Sequence, residues 1–223
     1  MTDIVFITDI HGKYDTVSDI FNNEDPDYVI IGGDITDIGG SLDKVIPFLE
    51  DIPAPTFAIP GNCDKKEILP VLEASDAICI HRKSIDLGKI TISGIGGSNA
   101  TPFGTPFEHS EEELEMIAQE ILAKTRKNRW NILVSHAPPY GVLDEVAENV
   151  HVGAVPIAKI VKEFDLVCCG HVHEQKGIAK LNGRICVNPG PASAGNYAVI
   201  SLENDGDEPK IVLKNIRDAK HEE

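Results

Sequence analysis

No stretch of this 223-residue sequence approaches the roughly 20 consecutive apolar residues that a membrane-spanning helix needs. The first twenty residues, MTDIVFITDIHGKYDTVSDI, carry acids early and lack the basic-then-apolar layout of a secretory signal. Cysteines are few and unpaired in pattern. Cys63, Cys79, Cys168, Cys169 and Cys186 are odd in number, form no CxxC, and several sit in strand-like apolar runs where a thiol behaves as a small hydrophobe. These absences exclude a disulfide scaffold and point to the cytoplasm. Basic residues are also scarce: 20 Lys and Arg against 36 Asp and Glu leave a formal charge of −16, with no basic cluster. A long polyanion such as nucleic acid is therefore repelled, and two bound divalent cations would offset only about four of those charges. GxGxxG and Walker A patterns are absent, so the Gly96-Gly97 loop is no phosphate cradle of either kind. There is no repeat, low-complexity tract or linker. With 42% apolar and 25% charged residues, the expectation is one globular domain over residues 1–223 with one substantial core.

What is present is a strand-helix alternation. β-rich runs at residues 4–8, 28–31 and 56–59 are each followed by a helical pattern, through Val17, Ile20 and Phe21, through Leu42, Val45 and Leu49, and near Ile68 and Leu72. Such alternation reads as βαβ units and a parallel sheet. Residues 76–94 read as two or three successive strands. Ser110 opens a helix with a capping box to Glu113, and Leu114, Ile117, Ala118, Ile121 and Leu122 share one face of it. Residues 131–135 read as a buried strand and 153–164 as a helix. Beyond 165 strands dominate, at 165–168, 175–180, 184–187, 197–202 and 210–214. The fold class is α/β, and the later β-rich portion suggests two sheets packed together, an arrangement that the pattern alone does not fix.

The chemistry gathers at strand ends, where sites of open α/β sheets form. Five such ends read Asp9-Ile10-His11-Gly12, Gly32-Gly33-Asp34, Pro60-Gly61-Asn62-Cys63-Asp64, Ser135-His136-Ala137-Pro138-Pro139 and Gly170-His171-Val172-His173. Taken singly, Asp9 or Asp34 reads equally as a helix N-cap, Asn62 as a turn residue and any one histidine as surface. Chance does not bring metal-binding types to five strand ends, four of the eight histidines among them. Asp9 with His11, and His171 with His173, are spaced by two, which in extended backbone puts both side chains on one side. Seven candidate ligands exceed the needs of one ion that must leave room for water and substrate, so two ions are expected, with Asp34 as the bridging carboxylate. Nitrogen and oxygen donors favour Mn, Fe, Co, Ni or Zn over Cu(I) and do not resemble a Cys-rich structural zinc site; Mn is the expected ion. Paired ions polarise a phosphoryl group and lower the pKa of a shared water.

The series DIH, GGD, GNCD, SHAPP and GHVH, running from Asp9 to His173, resembles the calcineurin-like metallophosphoesterase family. Stretches such as GDITD, GGSNATPFGTP, HVG and NPGP are similar to its Icc-related branch. The resemblance implies two packed mixed β-sheets flanked by helices, in four layers. It implies a first ion on Asp9, His11, Asp34 and His173 and a second on Asp34, Asn62, His136 and His171, with hydrolysis of a small phosphate ester by a metal-bound hydroxide. Cys63 departs from the family pattern, which has His at that position, thought to stabilise the transition state or protonate the leaving oxygen. A thiol is a poorer acid and carries no positive charge, so a phosphodiesterase is expected ahead of a phosphomonoesterase or protein phosphatase. Asp64 is expected either to orient a neighbouring ligand or to cap the helix after it. His151 is a candidate substitute acid, with a surface loop as the competing expectation. A non-catalytic scaffold, as in the retromer subunit that resembles these enzymes, is the alternative from another class. All seven filled ligand positions count against it.

Overall fold

The computed structural model describes residues 1–205 and 208–218. In chain order the elements are β1 (Thr2–Ile7), α1 (Tyr14–Ser18), β2 (Tyr28–Ile31), α2 (Val45–Glu50), β3 (Thr56–Ala58), α3 (Ile68–Glu73), β4 (Ile78–Cys79), β5 (Ser84–Asp86) and β6 (Ile90–Ile95). Next come β7 (Ser98–Asn99), β8 (Glu108–His109), α4 (Glu111–Lys124), β9 (Trp130–Ser135), β10 (Glu145–Ala147), β11 (Val150–His151) and α5 (Val155–Ile160). The chain then runs through β12 (Leu166–Cys168), β13 (Gly177–Leu181), β14 (Arg184–Asn188), β15 (Asn196–Leu202) and β16 (Lys210–Asn215).

Two six-stranded mixed sheets result, in the orders β16-β15-β1-β2-β3-β4 and β13-β14-β12-β9-β6-β5. Strands β1 to β4 run parallel, as do β6, β9, β12 and β14, while the outer pairings are antiparallel. Alternation along each strand separates three apolar layers. Ile4, Phe6, Ile30 and Phe57 meet Ile92, Ile132, Val134 and Leu166 between the sheets. Val5, Ile7, Val29 and Ile31 face the other way and are covered by Val17, Val45, Leu49, Ile68 and Leu72 from α1 to α3. Leu133 and Val167 are covered by Leu114, Ile117, Ile121 and Ile157 from α4 and α5. The side-chain period of two in each strand is what lets one sheet serve two layers. The molecule is thus helix, sheet, sheet, helix, as the family resemblance implied.

Several boundaries differ from the sequence expectation. The helix expected over 153–164 is α5 followed by a 3₁₀ turn at Val161–Glu163, and Leu42 precedes α2 instead of lying within it. The short pairs β7-β8 and β10-β11 have too few residues to show periodicity and were not foreseen. The Ser110 capping box forms as expected: its hydroxyl accepts from Glu113 N–H at 3.2 Å and Glu113 Oε2 accepts from Ser110 N–H at 2.9 Å.

Candidate metal centre

Five parallel strands, β1, β2 and β3 from one sheet and β9 and β12 from the other, end at one place. Their loops interlock there. Asp9 N–H donates to Gly33 O at 3.0 Å, His11 N–H to Asp34 O at 2.8 Å, and Gly170 N–H to His136 O at 3.0 Å. The turn at Asp34 requires the glycines that flank the ligands. A Cβ on Gly61 would sit 2.0 Å from Asp34 Oδ1, and Gly33 has φ +105° with the Gly61 nitrogen only 2.7 Å from where its Cβ would be. Asp9, His11, Asp34 and His171 themselves adopt left-handed φ values of 56°, 47°, 49° and 69°. The ligands therefore converge through left-handed turns after the strands, which corrects the extended backbone expected from their spacing of two. His171 and His173 also diverge, each to a different group.

Two groups of donors form, joined at Asp34. In the first, His11 Nε2 lies 3.3 Å from His173 Nε2, His173 Nε2 lies 3.4 Å from Asp9 Oδ1, and His11 Nε2 lies 3.7 Å from Asp34 Oδ2. In the second, Asn62 Oδ1 is 2.8 Å from both His136 Nε2 and His171 Nδ1, and His136 Nε2 is 3.4 Å from Asp34 Oδ1. Candidate ligand atoms lie within 4.8 Å of one another in the sets Asp9-His11-His173, Asp9-Asp34-His136 and His11-Asp34-Cys63. All seven expected ligands are thus brought together. Asp9, Asp34, Asn62 and His136 are buried, whereas His173 faces solvent.

Burial works against the Asp9 carboxylate, but its hydrogen bond to His173 and the charges of His136, His173 and His11 outweigh that and bring its pKa to about 2. Burial pushes His171 down to about 4, and the neighbouring His136 adds to it. Burial also opposes charge on His136, yet the carboxylates of Asp34 and Asp9 raise its pKa. The contacts of His136 show what the pocket is built for. Its Nδ1 is 2.9 Å from the Gly32 carbonyl, which only accepts, so Nδ1 carries the hydrogen of the neutral ring. Its Nε2 then points a lone pair at Asn62 Oδ1, whose amide NH₂ is engaged elsewhere, 3.0 Å from Thr105 Oγ1. Two lone pairs 2.8 Å apart repel unless a proton or a cation lies between them. A divalent cation satisfies both, and the nitrogen-and-oxygen donor set suits one.

Asp64 is fully buried and caps no helix, since α3 begins at Ile68. Its carboxylate accepts from Gly61 N–H at 2.8 Å, Ile35 N–H at 3.1 Å, and Thr36 N–H and Oγ–H at 2.8 Å each, so it clamps the Asp34 loop to the Asn62 loop. Burial and the Asp34 charge raise its pKa to about 6. Cys63 donates its backbone N–H to Asp34 Oδ1 at 2.8 Å, and burial, then Asp34, push its thiol well up, so it stays protonated. His151 lies on β11, with Nδ1 2.7 Å from Asp144 Oδ1 and its ring 5.5 Å from that of Tyr140. That hydrogen bond raises its pKa. Its hairpin is tied to the His173 loop, because Gln175 Nε2 donates to Glu145 O at 2.7 Å. The sequence reading missed Thr105, Glu108 and Asp144. Thr105 stands in the GGSNATPFGTP stretch, Glu108 on β8 and Asp144 just before β10, and no local pattern ties any of them to a ligand.

Carboxylates, imidazoles and an amide oxygen converging where parallel strands of two facing sheets end form the donor set of a metal-binding site. The calcineurin-like phosphoesterase family model matches residues 2–175, and the chain belongs to that family; with the donor groups described above, this makes it a metal-dependent phosphoesterase. An uncharacterised protein of Methanocaldococcus jannaschii is 40% identical over 200 residues, which cover 85% of this chain and 88% of that protein. The crystal structure of TT1561 of Thermus thermophilus superposes with a TM-score of 0.74 at 18% identity, over 97% of this chain and 99% of that one. GAP50, the anchor in the inner membrane complex of Plasmodium, superposes at 0.60 with 14% identity, over 96% and 84% of the two chains. At these identities the two structures attest the fold alone. Among the described residues no helix is long and apolar enough to cross a membrane.

Proposed function

We propose that this protein hydrolyses small phosphodiesters with two divalent ions, one on Asp9, His11, Asp34 and His173 and the other on Asp34, Asn62, His136 and His171. The observation that carries this reading is Asp34, whose Oδ2 faces His11 at 3.7 Å while its Oδ1 faces His136 at 3.4 Å. A carboxylate with its two oxygens turned to two donor groups is placed to bridge. Bound there, divalent ions supply Lewis acidity toward the phosphoryl oxygens and a lowered pKa for water; Mn is the ion proposed, with Fe, Co, Ni or Zn as alternatives. The chain's own residues hold the geometry: Gly32 O orients His136, and Asp64 keeps the Asp34 and Asn62 loops together.

Diester specificity is supported by Cys63. A neutral thiol offers neither the positive charge that a dianionic monoester needs nor efficient protonation of an alkoxide. His151, held by buried Asp144, is proposed as the proton donor to poor leaving groups. The apolar layer shared by both sheets supports a single domain. Five free, buried cysteines support a cytoplasmic setting.

The test is an activity panel over cyclic nucleotides, linear diesters and monoesters, using protein stripped by chelator and reloaded with Mn, Fe, Co, Ni or Zn. Diesters are expected to turn over faster than alkyl monoesters with about two ions bound. Faster monoester turnover would make it a phosphomonoesterase. Absence of both metal binding and activity would favour a binding scaffold.

A further inference from the structure

We propose that Thr105 and Glu108 form a hydrogen-bond lock that fixes which end of the Asn62 amide faces the second ion, an inference that rests on Asn62 being a ligand. The oxygen and nitrogen of a carboxamide are nearly the same size, and a half-turn about χ2 exchanges them. Only the oxygen presents a lone pair to a cation. The NH₂ group would present hydrogens, so a ligand asparagine needs something to choose its orientation.

The choice is made by counting hydrogens. Asn62 Nδ2 lies 3.0 Å from Thr105 Oγ1, and Thr105 Oγ1 lies 2.6 Å from Glu108 Oε1. A threonine hydroxyl has one hydrogen and two lone pairs, and an ionised carboxylate only accepts. The single hydrogen of Thr105 therefore goes to Glu108, and only lone pairs remain for Asn62. An amide oxygen in that direction would meet them unpaired, while an NH₂ is satisfied. Oδ1 is consequently turned inward, to His136 and His171 at 2.8 Å each.

Glu108 is itself fixed. The same Oε1 accepts from Thr105 N–H at 2.8 Å and from Thr101 Oγ–H at 2.6 Å. Burial works against its charge, but these hydrogen bonds hold its pKa to about 2, so it stays an acceptor at neutral pH. The segment is also registered on the Asn62 loop by backbone bonds: Phe107 N–H donates to Asn62 O at 3.0 Å and Gly97 N–H to Pro60 O at 2.9 Å. Thr105 and Glu108 act through Asn62 and are positioning residues.

The experiment measures manganese binding by calorimetry on the full chain, comparing wild type, N62A, T105V, T105S, E108A and E108Q. Thermal melting checks that each variant is folded. Wild type is expected to bind about two ions. N62A should weaken one of them, and T105V and E108A should weaken that same ion about 10–100-fold, the range for residues that orient metal ligands, with the other unchanged. T105S keeps the hydroxyl and should bind like wild type. E108A removes the acceptor that takes the Thr105 hydrogen, whereas E108Q can turn its own amide oxygen to Thr105 and should bind like wild type. The side-chain amide signal that N62A removes from a ¹⁵N spectrum should move in T105V and E108A and hold its place in T105S. If N62A leaves both ions undisturbed, the ligand assignment fails. If N62A loses an ion while T105V and E108A bind both as wild type does, the lock is overturned, and equal losses in T105S and T105V would overturn it in favour of methyl packing.

Discussion

Left-handed backbone at Asp9, His11, Asp34 and His171 is unusual for residues with a Cβ, and each such residue costs about 1–3 kcal/mol and persists only where its surroundings over-determine it. Here the surroundings do so, through the interlocking loop bonds and the Asp64 clamp. Asp34→Asn removes the charge shared by both donor groups while keeping the shape. The loss of activity should exceed the roughly 10–100-fold typical of supporting residues, and full retention of rate would show that Asp34 does not bridge. Cys63 gives a sharper test, because its thiol is neutral and general acid help is worth about 10²–10⁴-fold when a leaving group needs it. Cys63→Ala should leave diester turnover largely intact. Cys63→His should raise kcat/KM for alkyl monoesters more than for diesters. A dead Ala variant with no gain in the His variant would make the thiol a catalytic group.

At the scale of elements, the segment from Gly96 to His109 is a scaffold for the Asn62 loop, and two histidines hold its start. Gly96 N–H donates to His81 Nδ1 at 2.9 Å, His109 Nε2 pairs with Gly96 O at 3.0 Å, and the two rings stack 6.0 Å apart. His81 must keep a lone pair on Nδ1 to accept. Burial, with the charge of His109 and nearby Arg82 and Lys83, pushes its pKa down to about 3 from 6.5. Below pH 6.5 the unfolded chain takes up a proton that the folded chain refuses. The stability His81 contributes is therefore complete above that pH and falls as pH drops toward about 3, by up to about 1.4 kcal/mol per unit. Denaturant melts at about pH 7 and about pH 5 should show this slope in the wild type and a shallower one in His81→Asn. Equal slopes would mean that His81 titrates normally in the folded protein.

For the molecule as a whole, the centre sits between two sheets whose strand ends carry like-charged and lone-pair groups toward one another. Ions that bind only the folded chain stabilise it by mass action, about 2.7 kcal/mol at roughly a hundred times Kd. For a chain of this size each kcal/mol moves Tm by about 2–4 °C. Melting with excess manganese should therefore lie about 5–10 °C above melting in chelator, and Asp34→Asn should abolish most of the gap. An unchanged Tm would argue that these residues bind no ion. With a formal charge of −16, binding to double-stranded DNA should be undetectable by gel shift at physiological salt.

The five motifs were legible because metal chemistry restricts residue types and because glycine is required where Gly33 and Gly61 meet Asp34. The major strands and α4 were legible because a strand's period of two and a helix's of about 3.6 are written locally. The sequence by itself thus determined the class of fold, the seven donors and the unusual thiol at Cys63. The resemblance also implied the pairing of donors, and the tertiary structure supplies its physical cause. His171 and His173, two residues apart, go to different groups because a left-handed turn and a 3₁₀ turn separate their directions. Asp64 became a clamp and not a cap because its partners lie on a loop about thirty residues away. The link of Thr105 and Glu108 to Asn62 was invisible because a hydrogen-bond chain between separate segments has no period. Its meaning arises from a hydroxyl that must give its one hydrogen to a carboxylate, a constraint that exists only once the loop has folded onto Asn62.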